Sequence, residues 1–84
     1  MITIYSKRTC GPCQALKQFI NSLDVECQSK VTIISDETVT LNELYKYMLE
    51  IGSNSFPTIV FDSGRIINGF GKATMDIIKD YLSC

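Results

Sequence analysis

Apolar residues at Ile2 and Ile4, running on into Tyr5, give the period-two pattern of a short strand that begins almost at the first residue. A polar loop from Ser6 to Gly11 follows. Pro12 then stands where proline is best tolerated, in the first turn of a helix whose early N–H groups have no partner. Leu16, Phe19, Ile20 and Leu23 continue that helix as one apolar stripe, with Lys17, Gln18 and Asn21 opposite, and it ends near Ser22–Asp24. The β-branched run Val31, Ile33 and Ile34 predicts a second strand, with a start as early as Glu26. After the polar turn Ser35–Thr38, Thr40 and Glu43 form a capping-box pattern for a second helix with the stripe Leu41, Leu44, Tyr45, Met48 and Leu49. Gly52 is placed to close it. Thr58–Phe61 and Arg65–Ile67 flank Asp62-Ser63-Gly64, a hairpin signature, so these two strands are expected to be antiparallel. Ile77, Ile78, Tyr81 and Leu82 mark a final helix.

The order is βαβαββα, an α/β domain over residues 1–84. The opening βαβ unit implies two parallel strands with a right-handed crossover, and the hairpin can extend the same sheet.

Composition narrows the chemistry. With 84 residues there is room for one domain, and 45% hydrophobic with 20% charged residues is an ordinary globular balance, with no membrane-span enrichment. A net charge of −1, with Lys and Arg scattered along the chain, offers no basic field for a phosphate backbone, so nucleic acid is not expected as a partner. A monomer is expected. The chain has no histidine, which excludes Ser-His and Cys-His couples and imidazole-ligated zinc. Reaction chemistry must therefore come from cysteine or carboxylates. The first apolar stretch is too short and too broken to form a signal-peptide core, so a cytoplasmic location with reduced thiols is expected.

Cys10-Gly11-Pro12-Cys13 lies between the first strand and the first helix, and it is the strongest motif in the chain. One helical turn brings the two sulfurs within disulfide reach, with Cys10 at the exposed start and Cys13 inside. Unpaired N–H groups and the helix dipole favour thiolate over thiol there, and Lys7 and Arg8 add positive charge nearby. Cys10 is thus the expected nucleophile and Cys13 the resolving thiol, a redox pair that needs no histidine base. A zinc site needs a second close Cys/His pair, whereas Cys27 and Cys84 stand apart. An iron–sulfur or metal carrier using Cys10 is an alternative, disfavoured by the rigid Pro12 and the neighbouring second thiol. Cys27 reads as a buried small apolar residue and Cys84 as exposed and incidental.

The stretch Ile2–Lys7 leading into Cys10-Gly11-Pro12-Cys13, the step Phe56-Pro57-Thr58, and Asn68-Gly69-Phe70 together resemble a glutaredoxin of the thioredoxin superfamily. Its small, strand-first form is similar to small phage and bacterial glutaredoxins and to NrdH-type redoxins. The resemblance implies a thioredoxin fold: a four-stranded mixed sheet of order 2-1-3-4 with three helices and a cis bond before Pro57. A proline there turns the Phe56 N–H and C=O toward an extended substrate, in the manner of an added strand. By the same resemblance Tyr5, Lys7, Phe56, Pro57, Thr58, Gly69 and Phe70 are the expected groove residues. Phe70 is also readable as a core residue under the last helix.

The implied activity is dithiol–disulfide exchange on protein disulfides, with ribonucleotide reductase as the main client and other disulfide-bearing proteins besides. No bound cofactor is implied. Reducing equivalents would come from NADPH through thioredoxin reductase, or from glutathione. The chain departs from glutathione-using relatives: it has Asn68-Gly69 in place of a Gly-Gly pair, and Lys72 lies near the position of an aspartate that binds the glutathione amino group. The Gly-Pro between the cysteines is typical of thioredoxins. These departures favour thioredoxin reductase; a glutathione-dependent deglutathionylating glutaredoxin is the alternative. A non-catalytic adaptor using Phe56, Gly69 and Phe70 is a further rival.

Overall fold

Strand β1 (Ile2–Ser6) is the hub of the sheet in the computed structural model, which describes residues Met1–Cys84. It pairs in parallel with β2 (Val31–Ser35), matching Ile4 to Ile33, and antiparallel with β3 (Thr58–Phe61), matching Ile4 to Ile59. Strand β4 (Ile66–Asn68) closes the order β2-β1-β3-β4 as the second arm of a hairpin. Gly64, at φ +95°, supplies the left-handed residue of that turn, and its N–H donates to the Phe61 carbonyl. The sheet order and the antiparallel hairpin are those expected from the sequence.

Four helices connect the strands: α1 (Gly11–Asn21), α2 (Val25–Gln28), α3 (Leu41–Glu50) and α4 (Lys72–Leu82). Three of them are the expected ones. The single turn α2 corrects the expectation that strand structure reaches back to Glu26, since four residues give no helical periodicity to read. The Thr40 hydroxyl accepts the Glu43 N–H and donates to the Glu43 carboxylate, so the cap of α3 forms as expected.

Alternation along β1 sends Ile2 and Ile4 to the face covered by α1 and α4, where they pack with Leu16, Ile20, Ile59, Phe61, Ile78 and Leu82 as the core. The opposite face is covered by α3, through buried Leu44 and Met48 and a Tyr5–Tyr47 ring contact at 6.3 Å. The expected five-residue stripe of α3 is too wide. Tyr45 and Leu49 lie in solvent, Leu49 at 81% exposure, because only the Leu44–Met48 row faces the strands.

The two outlying cysteines have the expected burial and exposure but depart from expectation in being bonded to each other. Cys27 is buried in α2, at 6% exposure, and Cys84 follows α4 at a Cα separation of 6.5 Å, and the two form a disulfide. The Lys30 ammonium donates to the Leu82 carbonyl at the same junction. A cross-link closing a loop of 57 residues removes enough unfolded-chain entropy to stabilise by about 4 kcal/mol. Cys84 is therefore a structural partner and not an incidental terminal thiol, and the expectation of reduced thiols holds in this structure for Cys10 and Cys13 alone.

Candidate active site

Cys10 is the N-cap of α1. Its backbone is extended (φ −105°, ψ 117°), its carbonyl accepts the Gln14 N–H, and its sulfur accepts the Cys13 N–H at 3.2 Å. Pro12 occupies the first turn, where no donor is lost. The sulfur thus takes up one of the helix-start N–H groups that no carbonyl of the helix can reach. Cys10 is partly exposed, while Cys13 is at 0% exposure, and both are free thiols. Burial, then the hydrogen bond to Cys10, pushes the Cys13 thiol up to about 12. One thiol is open to solvent and the other is held protonated beneath it.

The Phe56-Pro57 bond is cis, as expected. The Cys10 thiol donates to the Phe56 carbonyl at 3.7 Å, and the Phe56 N–H makes no backbone hydrogen bond. An unpaired N–H and a carbonyl beside the reactive sulfur can accept an extended chain. Gly69, at φ +83°, donates its N–H to the Pro57 carbonyl and so joins the end of the hairpin to the same loop.

Other expected groove residues are placed differently. The Thr58 side chain is buried, donates to the Ser55 carbonyl at 2.6 Å, and meets Ser53 Oγ at 2.8 Å and Asn68 Nδ2 at 2.9 Å. It fixes the loop that carries Pro57. Phe70 is partly buried and packs on Phe19 at 5.8 Å, against the edge of the core cluster. Tyr5 is half-buried against Tyr47, and burial, then the neighbouring Tyr47 and Glu50, raises its phenol above the usual range.

Lys7 does reach the site. Its ammonium donates to the Tyr45 hydroxyl at 2.9 Å and lies 5.4 Å from the Tyr45 ring and 5.6 Å from the Phe56 ring; the hydrogen bond to Tyr45 raises its pKa. Arg8, expected to add to the field at Cys10, is balanced by Asp36, which accepts both its backbone N–H and its guanidinium. Burial opposes ionisation of Asp36, at 8% side-chain exposure, but those Arg8 contacts hold its carboxyl below the ordinary range. Asp36, Tyr45, Ser53 and Asn68 are the participants that sequence reasoning missed. No three or more His, Cys, Asp or Glu side chains converge as a metal site.

A thiol at a helix start, a buried thiol one turn on, and a cis-proline beside them on a 2-1-3-4 sheet define the thioredoxin-like class. Solved structures share the fold. The thioredoxin-like protein BC3987 is 21% identical, with 93% of this chain and 99% of that chain covered at a TM-score of 0.63. The glutaredoxin of Archaeoglobus fulgidus is 18% identical, covering 92% and 83% at 0.66, and that of Methanosarcina mazei is 20% identical, covering 99% and 78% at 0.64. No curated protein sequence matches the chain. Residues 2–66 match the glutaredoxin family model, and the chain belongs to the glutaredoxin family of thiol–disulfide oxidoreductases. No helix is long and apolar enough to cross a membrane.

Proposed function

We propose that the chain reduces protein disulfides by a dithiol mechanism and draws its electrons from NADPH through thioredoxin reductase. The observation that carries this reading is the unequal pair at the start of α1: a partly exposed Cys10 sulfur bonded to a helix N–H, with a protonated Cys13 buried beside it. The Cys10 thiolate attacks one sulfur of the client disulfide, forming a mixed disulfide and expelling the other as thiolate. Cys13 loses its proton and attacks Cys10 Sγ, closing the Cys10–Cys13 disulfide and releasing the second client thiol. Two electrons and two protons from the reductase restore the dithiol.

The choice of reductant rests on α4. Lys72 is its exposed first residue, after Gly69 and Gly71, and an ammonium there disfavours the ammonium of glutathione. Ribonucleotide reductase is the client that the resemblance to NrdH-type redoxins implies, and the cytoplasm is the compartment where such a donor works. Parallel recycling of the oxidised protein tests this reading: fast turnover with thioredoxin reductase and slow turnover with glutathione is expected, and efficient glutathione coupling overturns the choice of reductant.

A further inference from the structure

Beside Phe56, on the α3 side of the site, lies a cavity of about 210 Å³ lined by Tyr45, Met48, Leu49, Ser53, Asn54 and Phe56. No charged side chain lines it. Phe56 belongs to both places: its carbonyl faces the Cys10 sulfur at 3.7 Å, and its ring stands edge-on to Tyr45 at 6.0 Å in the cavity wall. A chain engaging the Phe56 backbone therefore carries its neighbouring side chains past this opening. Tyr45 and Leu49 form the exposed rim, and no segment of the fold covers them.

Size points to a single side chain as the occupant. Small-molecule sites run to roughly 300–1,000 Å³. A cavity of about 210 Å³ is below that range and has room for one large side chain of a bound protein segment. Charge narrows the occupant further. The Lys7 ammonium, tied to the Tyr45 hydroxyl, makes no ion pair, so the edge nearest Cys10 is positive and disfavours a basic residue.

We propose that this cavity is a client-specificity pocket: it takes a large apolar side chain, such as leucine, next to the attacked half-cystine of an extended protein segment. The proposal rests on the disulfide-reducing reading above and names a preference within it. It assigns Leu49 and Tyr45 to substrate selection, although neither touches the sulfurs.

The test uses the reduced full chain and two synthetic disulfide-bonded peptides, identical except for Leu or Ala beside the attacked half-cystine, with rates followed by stopped flow. The Leu peptide is expected to be reduced about tenfold faster in kcat/KM, the effect of burying most of one leucine side chain. Leu49→Gln, an exposed change on the rim, is expected to bring the Leu/Ala ratio toward one. Equal rates for both peptides in the unaltered chain overturn the pocket while leaving the dithiol reading intact, and failure to reduce either peptide overturns both. A Leu49-dependent dimer in sedimentation assigns the face to a second copy and overturns the client assignment.

Discussion

The four cysteines form two pairs, and the environments of those pairs are opposite. Cys10 and Cys13 are three residues apart, free, and placed where a helix begins, so the Cys10 sulfur accepts a helix N–H and stays partly exposed while the Cys13 sulfur lies buried beneath it. Cys27 and Cys84 are 57 residues apart, bonded, and placed where two elements end, with Cys27 buried and no groove beside them. Reactivity follows from the surroundings of a sulfur and not from its being half of a pair. A short loop between two thiols costs little entropy to open and close, whereas a long one constrains the unfolded chain, so the first pair suits turnover and the second suits a staple.

The largest effects should come from the first pair. Cys10→Ser is expected to reduce client disulfides no faster than background, whereas Cys13→Ser accumulates a mixed disulfide through Cys10, visible as a mass increase equal to the client. Undiminished turnover by Cys10→Ser would erase the contrast between the pairs. The second pair should respond in stability instead. Cys84→Ser is expected to cost about 4 kcal/mol by urea unfolding, with client reduction well below the melting transition changed by less than about twofold. Unaltered stability would show that the bond does not act as a staple.

Alkaline titration sharpens the difference. Folding raises the Cys13 thiol from 9.0 to about 12, so between those values the native state keeps a proton that the unfolded chain has lost. Stability carried by that proton is fully present below about pH 9 and falls at up to about 1.4 kcal/mol per pH unit toward about pH 12. Urea midpoints of the reduced protein should lose that part of their slope in Cys13→Ala. Cys84→Ser should keep it. A slope unchanged in Cys13→Ala would contradict the burial of that thiol.

The smallest effect concerns the loop that holds Pro57. Asn68→Ala removes the donor shared by Thr58 and Ser53 and is expected to cost roughly 1–2 kcal/mol, with a several-fold fall in kcat/KM for client reduction. A change in stability with kcat/KM preserved would separate this network from the positioning of Phe56.

What the sequence made legible is local. Alternation at Ile2 and Ile4, the Leu16–Ile20 stripe, the Thr40–Glu43 cap and the Asp62–Gly64 turn each act within a few residues, and each predicts its element. Cys10 and Cys13 were legible for the same reason, since one helical turn fixes their approach. The Cys27–Cys84 bond was not, because it depends on where α2 meets the end of α4, and the one turn of α2 has no period to detect. Thr58 enters the expected groove through the resemblance of the Phe56-Pro57-Thr58 step alone; its partners Ser53 and Asn68 converge on it only once the hairpin and the loop are folded together. Leu49 fits the apolar stripe of α3 by spacing, yet only the Leu44–Met48 row of that helix is buried against the strands.

The central claim is that one cysteine pair turns over while the other holds the fold. The direct measurement is site-resolved thiol alkylation during a single turnover: reduced protein is mixed with one equivalent of disulfide client, quenched at intervals with acid and iodoacetamide, and mapped by mass spectrometry. The expected result is loss of label at Cys10 and Cys13 in step with client reduction, with Cys27 and Cys84 unchanged throughout. Label changing at Cys27 or Cys84 on the same timescale, or a client reduced while Cys10 stays fully labelled, would contradict the account.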